Sequence, residues 1–290
     1  MHAPRGPGQR RAAWLCALVL LLGAHGAAAE PIPYHEERVA LRLADGRALQ
    51  ARLRFPTHGH APYPAVMLFG GFQGAARVLD RVHTDAAIVF ATFDYPFDAP
   101  RKFVFPDSLK LAPEMKAAIH GTLEGVGALY EALRARPDID PARISIAGAS
   151  AGAPIATVAA AQHRIPGLVI VHGFGEVTRV VAHQFIRKWG RWSTPLAWLL
   201  AWFCTWYTDV PAPEDFATRL RAGQRTLMIA AERDSFVPAR ASEALRRSLA
   251  GSGTQFEHVM LPGDHVGRSE EQIARMIERA LVWMRRVGLA

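Results

Sequence analysis

The stretch Arg143–Gly152, with the sequence RISIAGASAG, decides the fold of this chain. A short β-branched run stops at the pentapeptide GASAG, and an alanine-rich run that favours helix follows it. The pattern predicts a strand, a tight turn and a helix, with Ser150 raised above the sheet edge at the turn. Gly148 and Gly152 fit this prediction, because a side chain at either position would collide with the neighbouring strand or helix.

The composition limits the class of protein. The chain has 290 residues, half of them hydrophobic, which is enough for one large domain with a full core. The formal net charge is +8, but the basic residues are scattered and do not alternate with aromatic residues, so we expect no nucleic-acid partner. No histidine or cysteine spacing fits a metal site, and no dinucleotide or phosphate-binding fingerprint occurs. We therefore expect no metal and no cofactor.

The first 29 residues have the pattern of a secretory signal peptide. A basic start is followed by an apolar run over residues 12–24, and three alanines at 27–29 offer a cleavage site. The run is short for a membrane span, although an uncleaved N-terminal anchor is the alternative. We expect cleavage near Ala29, export to the periplasm or the medium, and one mature domain over 30–290. Cleavage removes three arginines and no acid, which lowers the net charge to +5, and leaves Cys204 as the one cysteine.

Alternating strands and helices are predicted for the rest of the chain. Two alternating segments, 37–43 and 49–53, flank an Asp-Gly turn and predict a β-hairpin. Apolar or β-branched runs predict six further strands, over 65–69, 86–93, 143–147, 167–171, 226–230 and 256–261. Helical spacing predicts helices over 113–136, 153–162 and 239–249 and from Ser269 onward. This order favours an α/β fold with a mostly parallel sheet of about eight strands, covered by helices on both faces.

Three motifs, each following a predicted strand, carry the chemistry. Ser150 lies in GASAG, Asp234 begins DSFVP, and His265 ends GDH. In this order the motifs make the chain resemble the α/β-hydrolases, nearest to the branch of dienelactone hydrolases and prolyl-oligopeptidase-like serine esterases. The resemblance covers the chain from about Glu37 onward.

A serine nucleophile explains why these residue types occur together. A serine hydroxyl needs a base within hydrogen-bond reach, and an imidazole has a suitable pKa, so His265 is the predicted base for Ser150. A carboxylate must orient that imidazole, and Asp234 is the predicted acid. Glu232 falls two residues too early to be the acid, and Asp264 is predicted to form a turn. The alternative is a purely structural role for each: a turn serine, a capping aspartate and a loop histidine.

The resemblance also implies an oxyanion hole made of two backbone N–H groups. One is that of Ala151, directly after the serine, and the other comes from the loop after the strand 65–69. The alignment of that loop predicts Phe72 as the second donor, with Gly71 as the alternative. Gly70 departs from the family pattern, which often has a histidine there.

The segment 176–215 is where the family places a lid. It predicts two helices, the first with an apolar face and an end at Gly190, the second beginning at Ser193 or Thr194. The second helix carries Trp198, Trp202 and Trp206 at helical spacing. Three interpretations stay open for these tryptophans: they line an acyl pocket, anchor the lid, or contact a membrane surface weakly. His172, after the strand 167–171, either lines the pocket or is structural, and Asp94 is expected to be structural.

The resemblance therefore predicts an exported serine hydrolase. It would cleave small carboxylic esters that carry an apolar acyl or alcohol group, through an acyl-enzyme on the serine. A serine peptidase of the prolyl-oligopeptidase kind shares the same three residues and is the first alternative. A hydrolase-like envelope binding protein without catalysis is the second, and acyl transfer to an acceptor other than water is a further possibility.

Overall fold

The computed structural model describes residues 34–71, 76–97, 110–265 and 269–290. They belong to a compact unit that runs from Pro33 to Ala290. The predicted signal peptide, residues 1–29, lies outside the described residues, so its cleavage remains a prediction.

The described residues form one eight-stranded sheet with helices between most strands. The strands are β1 Tyr34–Arg42, β2 Ala48–Pro56, β3 Tyr63–Phe69, β4 Val89–Phe93, β5 Ile139–Ala149, β6 Gly167–Val171, β7 Arg225–Ala231 and β8 Gln255–Leu261. The helices are α1 Ala76–Leu79, α2 Ala112–Arg134, α3 Gly152–His163, α4 Val177–Trp189, α5 Thr194–Thr208, α6 Pro213–Ala217, α7 Ala239–Ala250 and α8 Glu270–Arg286. A short 3₁₀ helix, Arg191–Ser193, joins α4 to α5.

The strand order is β1-β2-β4-β3-β5-β6-β7-β8. The β1–β2 and β2–β4 pairs are antiparallel, and every pair from β4 to β8 is parallel. The predicted α/β fold with a mostly parallel sheet is therefore confirmed. The predicted strand over 86–93 is shorter in the structure, because β4 begins at Val89.

Apolar side chains cover both faces of the sheet. Alternate residues of β3 show this, since Phe69 joins the cluster under α2 and α3 whereas Leu68 joins the cluster under α8. Leu129 of α2 and Trp283 of α8 are almost fully buried in these two clusters. The parallel strands are apolar on both sides for this reason.

The carboxyl ends of β5 to β8 meet at one edge of the sheet. The register pairs Ala149 with Val171 at the ends of β5 and β6, and Ala231 with Leu261 at the ends of β7 and β8. The loops that leave these four strands therefore begin side by side, which is the usual position of a site in such folds.

The segment 176–215 forms the two predicted helices, α4 and α5, and the short helix α6. Helix α4 ends at Gly190, as predicted, with a φ of 92° at that residue. Ser193 occupies the N-cap position of α5, but its hydroxyl donates to the carbonyl of Gly190 at 2.7 Å instead of capping the helix. In the part of the chain that is described, no helix combines the length and the apolar character needed to cross a bilayer.

Candidate active site

Ser150 lies in the sharp turn between β5 and α3. Its φ is +53°, in the left-handed region that non-glycine residues rarely adopt. Two backbone hydrogen bonds hold the turn, one from the N–H of Ser150 to Val171 at 2.9 Å and one from the N–H of Ala153 to Ser150 at 3.0 Å. The surrounding structure therefore fixes a strained residue, a condition often met at functional sites.

The two glycines of the GASAG motif allow the chain to pack closely at this turn. A Cβ at Gly148 would lie within 3.0 Å of the carbonyl of Gly152 and of the side chain of Ala156. A Cβ at Gly152 would lie within 3.0 Å of the carbonyls of Phe69 and Gly70, at the end of β3. The clash predicted from the sequence is therefore present at both positions.

His265 joins Ser150 to Asp234. Its Nε2 lies 2.9 Å from the hydroxyl of Ser150, and its Nδ1 lies 2.8 Å from Oδ2 and 3.0 Å from Oδ1 of Asp234. These are hydrogen-bond distances, and both side chains are largely buried. The structure thus brings together the three residues that the motifs singled out.

The carboxylate of Asp234 is held by four donors. Its Oδ1 accepts the backbone N–H groups of Phe236 at 2.9 Å and Val237 at 2.8 Å, and the two histidines His172 and His265 face the carboxylate. Burial by itself would raise the pKa of Asp234, but the hydrogen bonds from His172, His265 and Val237 outweigh it. The pKa therefore lies far below its usual value of 3.8, and the group is a carboxylate at neutral pH.

The two rival acids have other positions. Glu232 is exposed, and its backbone N–H pairs with Leu261. Oδ1 of Asp264 accepts the backbone N–H groups of Ser235 and His265, each at 2.6 Å. Asp264 therefore joins the loop after β7 to the loop after β8, which is the turn-forming role predicted for it.

His172 makes a contact that the three motifs did not predict. It is 3% exposed, its Nδ1 lies 3.2 Å from Oδ2 of Asp234, and its ring lies 4.9 Å from that of His265. It is not named among the residues that line the cavity described below, and its place in a substrate pocket stays a prediction. Its position after β6, next to the strand that ends near Asp234, was the signal in the sequence for this contact.

The same three side chains have donor atoms close enough to be considered as metal ligands. The nearest atoms of His172, Asp234 and His265 lie within 4.8 Å of one another. Hydrogen bonds of 2.8 and 3.2 Å between each imidazole and the shared carboxylate already account for this spacing. The absence of a metal stays a prediction from the sequence.

A cavity of about 440 Å³ begins beside the serine and extends below the helices α4 and α5. Its lining includes Ala151 and Pro154 at the start of α3, and most of the rest is apolar. Helix α4 contributes Val177, Val180, Val181, Phe185 and Trp189, the apolar face that the sequence predicted for the first lid helix. Helix α5 contributes Phe203, Cys204, Thr205, Tyr207 and Thr208.

The three tryptophans of α5 do not line this cavity. Trp202 is 57% exposed, Trp206 is 64% exposed, and Trp198 is also on the solvent side. The prediction that they form an acyl pocket is therefore wrong. Small residues explain the orientation, because Ala197 and Ala201 are fully buried and allow α5 to pack closely on its inner side.

The loop after β3 is described only as far as Gly71. A Cβ at Gly70 would lie within 3.0 Å of Val78, so a larger residue does not fit there without movement. The hydroxyl of Tyr95 donates to the carbonyl of Gly70 at 2.6 Å and fixes this end of the strand. Gly71 is exposed. Phe72, the predicted second oxyanion donor, lies outside the described residues.

A strand–turn–helix serine hydrogen-bonded to a histidine, on a mostly parallel sheet, defines a serine hydrolase of the α/β-hydrolase superfamily. The model of the prolyl oligopeptidase family matches residues 120–288. The chain belongs to the prolyl oligopeptidase family. It matches no curated protein sequence at a significant level.

Solved structures of esterases and of a peptidase share this fold. A putative dienelactone hydrolase from Klebsiella pneumoniae has a TM-score of 0.62 at 16% identity, covering 87% of this chain and 99% of that one. Acetyl xylan esterase 1 from Thermoanaerobacterium has a TM-score of 0.59 at 14% identity, covering 84% and 83%. A puromycin-hydrolyzing peptidase from Mycobacterium tuberculosis has a TM-score of 0.59 at 17% identity, covering 86% of this chain but 38% of the peptidase.

The close packing at Gly152 predicts a large stability cost for a single methyl group. We expect Gly152→Ala to lower the free energy of unfolding by about 1–3 kcal/mol, because the backbone of β3 or α3 must shift. Urea unfolding followed by circular dichroism measures the change.

Gly251→Ala is the control, because a Cβ there makes ordinary contacts and the φ of −87° suits alanine. We expect that variant to stay within about 0.5 kcal/mol of the wild type. Equal stability of the two variants would contradict the role of Gly152.

Proposed function

We propose that the protein hydrolyses carboxylic esters through an acyl-enzyme on Ser150. The observation that carries the proposal is the hydrogen-bonded series from Ser150 through His265 to Asp234, at 2.9 and 2.8 Å, beside an apolar cavity. The hydroxyl needs this base to attack a carbonyl near neutral pH. The cavity gives an apolar group of the ester a place to bind.

The reaction follows from these positions. The oxygen of Ser150 attacks the ester carbonyl while Nε2 of His265 takes the hydroxyl proton. The negative oxygen that forms accepts the N–H of Ala151 and a second N–H from Gly71 or Phe72. The tetrahedral intermediate expels the alcohol, which receives the proton from His265, and Ser150 keeps the acyl group. A water molecule then attacks the acyl-enzyme while His265 takes its proton. The carboxylic acid leaves, and His265 returns the proton to the oxygen of Ser150.

Asp234 and His172 support the base in this proposal. The carboxylate of Asp234 orients the imidazole of His265 and stabilises it when it becomes charged. His172 binds the same carboxylate at 3.2 Å and is a positioning residue, because it acts through Asp234. Because the imidazole of His172 is buried and held in place, its contact keeps the carboxylate of Asp234 in one orientation.

The cavity favours an uncharged, apolar substrate. No Asp or Glu occurs among its lining residues in the described part of the chain, so a charged peptide N-terminus has no acidic partner there. Lys188 and Gln184 are polar lining residues on α4. We therefore propose esters rather than peptides as the substrates, although the peptidases of the family share the same chemistry.

Export is part of the proposal. The basic start, the apolar run over 12–24 and the three alanines at 27–29 support a cleaved signal peptide. An exported protein without an intramolecular disulfide relies on its core, which here covers both faces of the sheet.

Turnover of esters and amides, measured side by side, tests the function. We expect hydrolysis of p-nitrophenyl esters, slow or no hydrolysis of aminoacyl amides, and labelling by a fluorophosphonate probe. Ser150→Ala should abolish labelling and lower ester turnover by about 10⁴-fold or more, because the nucleophile is lost. The control Ser248→Ala, in α7, should keep both.

Two results would contradict the proposal. Faster turnover of amides than of esters would favour a peptidase. A folded wild type that neither binds the probe nor turns over esters would favour a binding protein.

The cavity also predicts which residues set the acyl-chain preference. Val181→Phe should fill part of the cavity under α4 and shift the optimum among p-nitrophenyl esters to shorter chains. Trp202→Ala should leave the optimum unchanged, since its ring is on the solvent side. A shift with Trp202→Ala and none with Val181→Phe would place the acyl group elsewhere.

A further inference from the structure

Helix α5 and the turn before it expose an unusual set of large apolar side chains. We call this set the aromatic face; it consists of Trp192, Leu196, Trp198, Leu199, Trp202, Phe203 and Trp206, all exposed. Trp202 and Trp206 stack with ring centroids 6.0 Å apart and nearly parallel planes, so they form one continuous surface. Trp192 is 80% exposed.

The aromatic face is too large to be ordinary surface. A tryptophan offers about 150–250 Å² of side-chain area. With exposures of 37% to 80%, its four tryptophans alone leave roughly 350–600 Å² in solvent, before the leucines and Phe203 are added. The largest apolar patch of a typical monomer is about 300–600 Å², so the whole face exceeds it and indicates an interaction site.

The sequence beside the aromatic face is rich in basic residues. Helix α5 has no charged residue, and the sequence from Val177 to Thr208 contains no Asp or Glu. Arg187, Lys188 and Arg191 are exposed at the junction of α4 and α5. Asp209, directly after α5, is the nearest acid along the chain. The combination of interfacial tryptophans and flanking basic residues complements an anionic lipid surface.

We propose that the aromatic face docks on the surface of an anionic lipid bilayer, with the tryptophan rings at the level of the headgroups. Tryptophan prefers this level because its ring is apolar and its N–H is polar. Arg191, directly before Trp192, then contacts the lipid phosphates. A second copy of the chain fits the face less well, because two copies of the chain from Glu30 onward, each with a net charge of +5, repel each other.

Docking in this orientation would place the cavity next to the lipid. Helix α5 carries most of the aromatic face on its outer side and contributes Cys204, Tyr207 and Thr208 to the cavity on its inner side. Phe203 lies at the border and belongs to both. Only α5 would then separate the bilayer from the cavity, so an apolar molecule that leaves the bilayer would have a short path to the cavity. The docking itself does not depend on the proposed ester hydrolysis.

Flotation with lipid vesicles tests the docking. The probes are vesicles of phosphatidylcholine with and without phosphatidylglycerol, at low and high salt. The full chain and the chain from Glu30 onward are both used, because residues 12–24 are apolar themselves and every described element lies after Pro33. Thermal unfolding confirms that each sample is folded.

We expect the chain from Glu30 onward to bind, more tightly with phosphatidylglycerol and less tightly at high salt. Trp202→Glu should weaken binding about tenfold or more, because a charge replaces a ring that would enter the lipid surface. Arg191→Gln should weaken binding to the anionic vesicles alone. Val282→Glu is the matched control, because it adds the same charge at an exposed apolar residue of α8 and should bind as the wild type does.

Several outcomes would overturn the proposal. Binding by the full chain alone would assign the lipid contact to the N-terminal residues. Equal binding by Trp202→Glu and the wild type would exclude the aromatic face. A dimer in sedimentation velocity that Trp202→Glu abolishes, without vesicle binding, would assign the face to a second copy.

Discussion

The close approach of three backbone segments around Gly148 and Gly152 is the constraint on which the site depends. The end of β5, the start of α3 and the end of β3 meet there with no room for a Cβ. Ser150, which lies between these two glycines, has a left-handed conformation at the end of a central strand. Because the neighbouring strands are parallel and in register, their loops bring His172, Asp234 and His265 to the same edge.

Electrostatic interactions around Asp234 fix the orientation of the base. The carboxylate of Asp234 receives two backbone N–H groups from its own loop and faces two imidazoles from the loops after β6 and β8. Its lowered pKa keeps it charged, and a charged acceptor holds the imidazole of His265 with its other nitrogen toward Ser150. Asp264 supports this arrangement from outside, because it joins the two loops that carry Asp234 and His265.

The sequence predicted the parts of the structure that depend on local signals. Two alternating segments located β1 and β2, and apolar or β-branched runs located the other six strands. The three motifs located Ser150, Asp234 and His265, because each motif has the residue types of a turn that follows a strand. The contact between His172 and Asp234 was not predictable in this way, since it joins residues 62 positions apart through strand pairing. The tryptophans of α5 were placed wrongly because helical spacing shows which residues share a face but not which face packs inward. The buried small residues Ala197 and Ala201 decide that question.

The central claim is that Ser150 carries the acyl group during turnover. The most direct measurement mixes the protein with p-nitrophenyl butyrate, quenches in acid during the first turnover, and determines the mass of the peptide spanning 143–152. We expect a butyryl group on Ser150 that disappears once the substrate is consumed. Ester turnover by a folded protein with this peptide unmodified throughout, or with the acyl group on another residue, would contradict it.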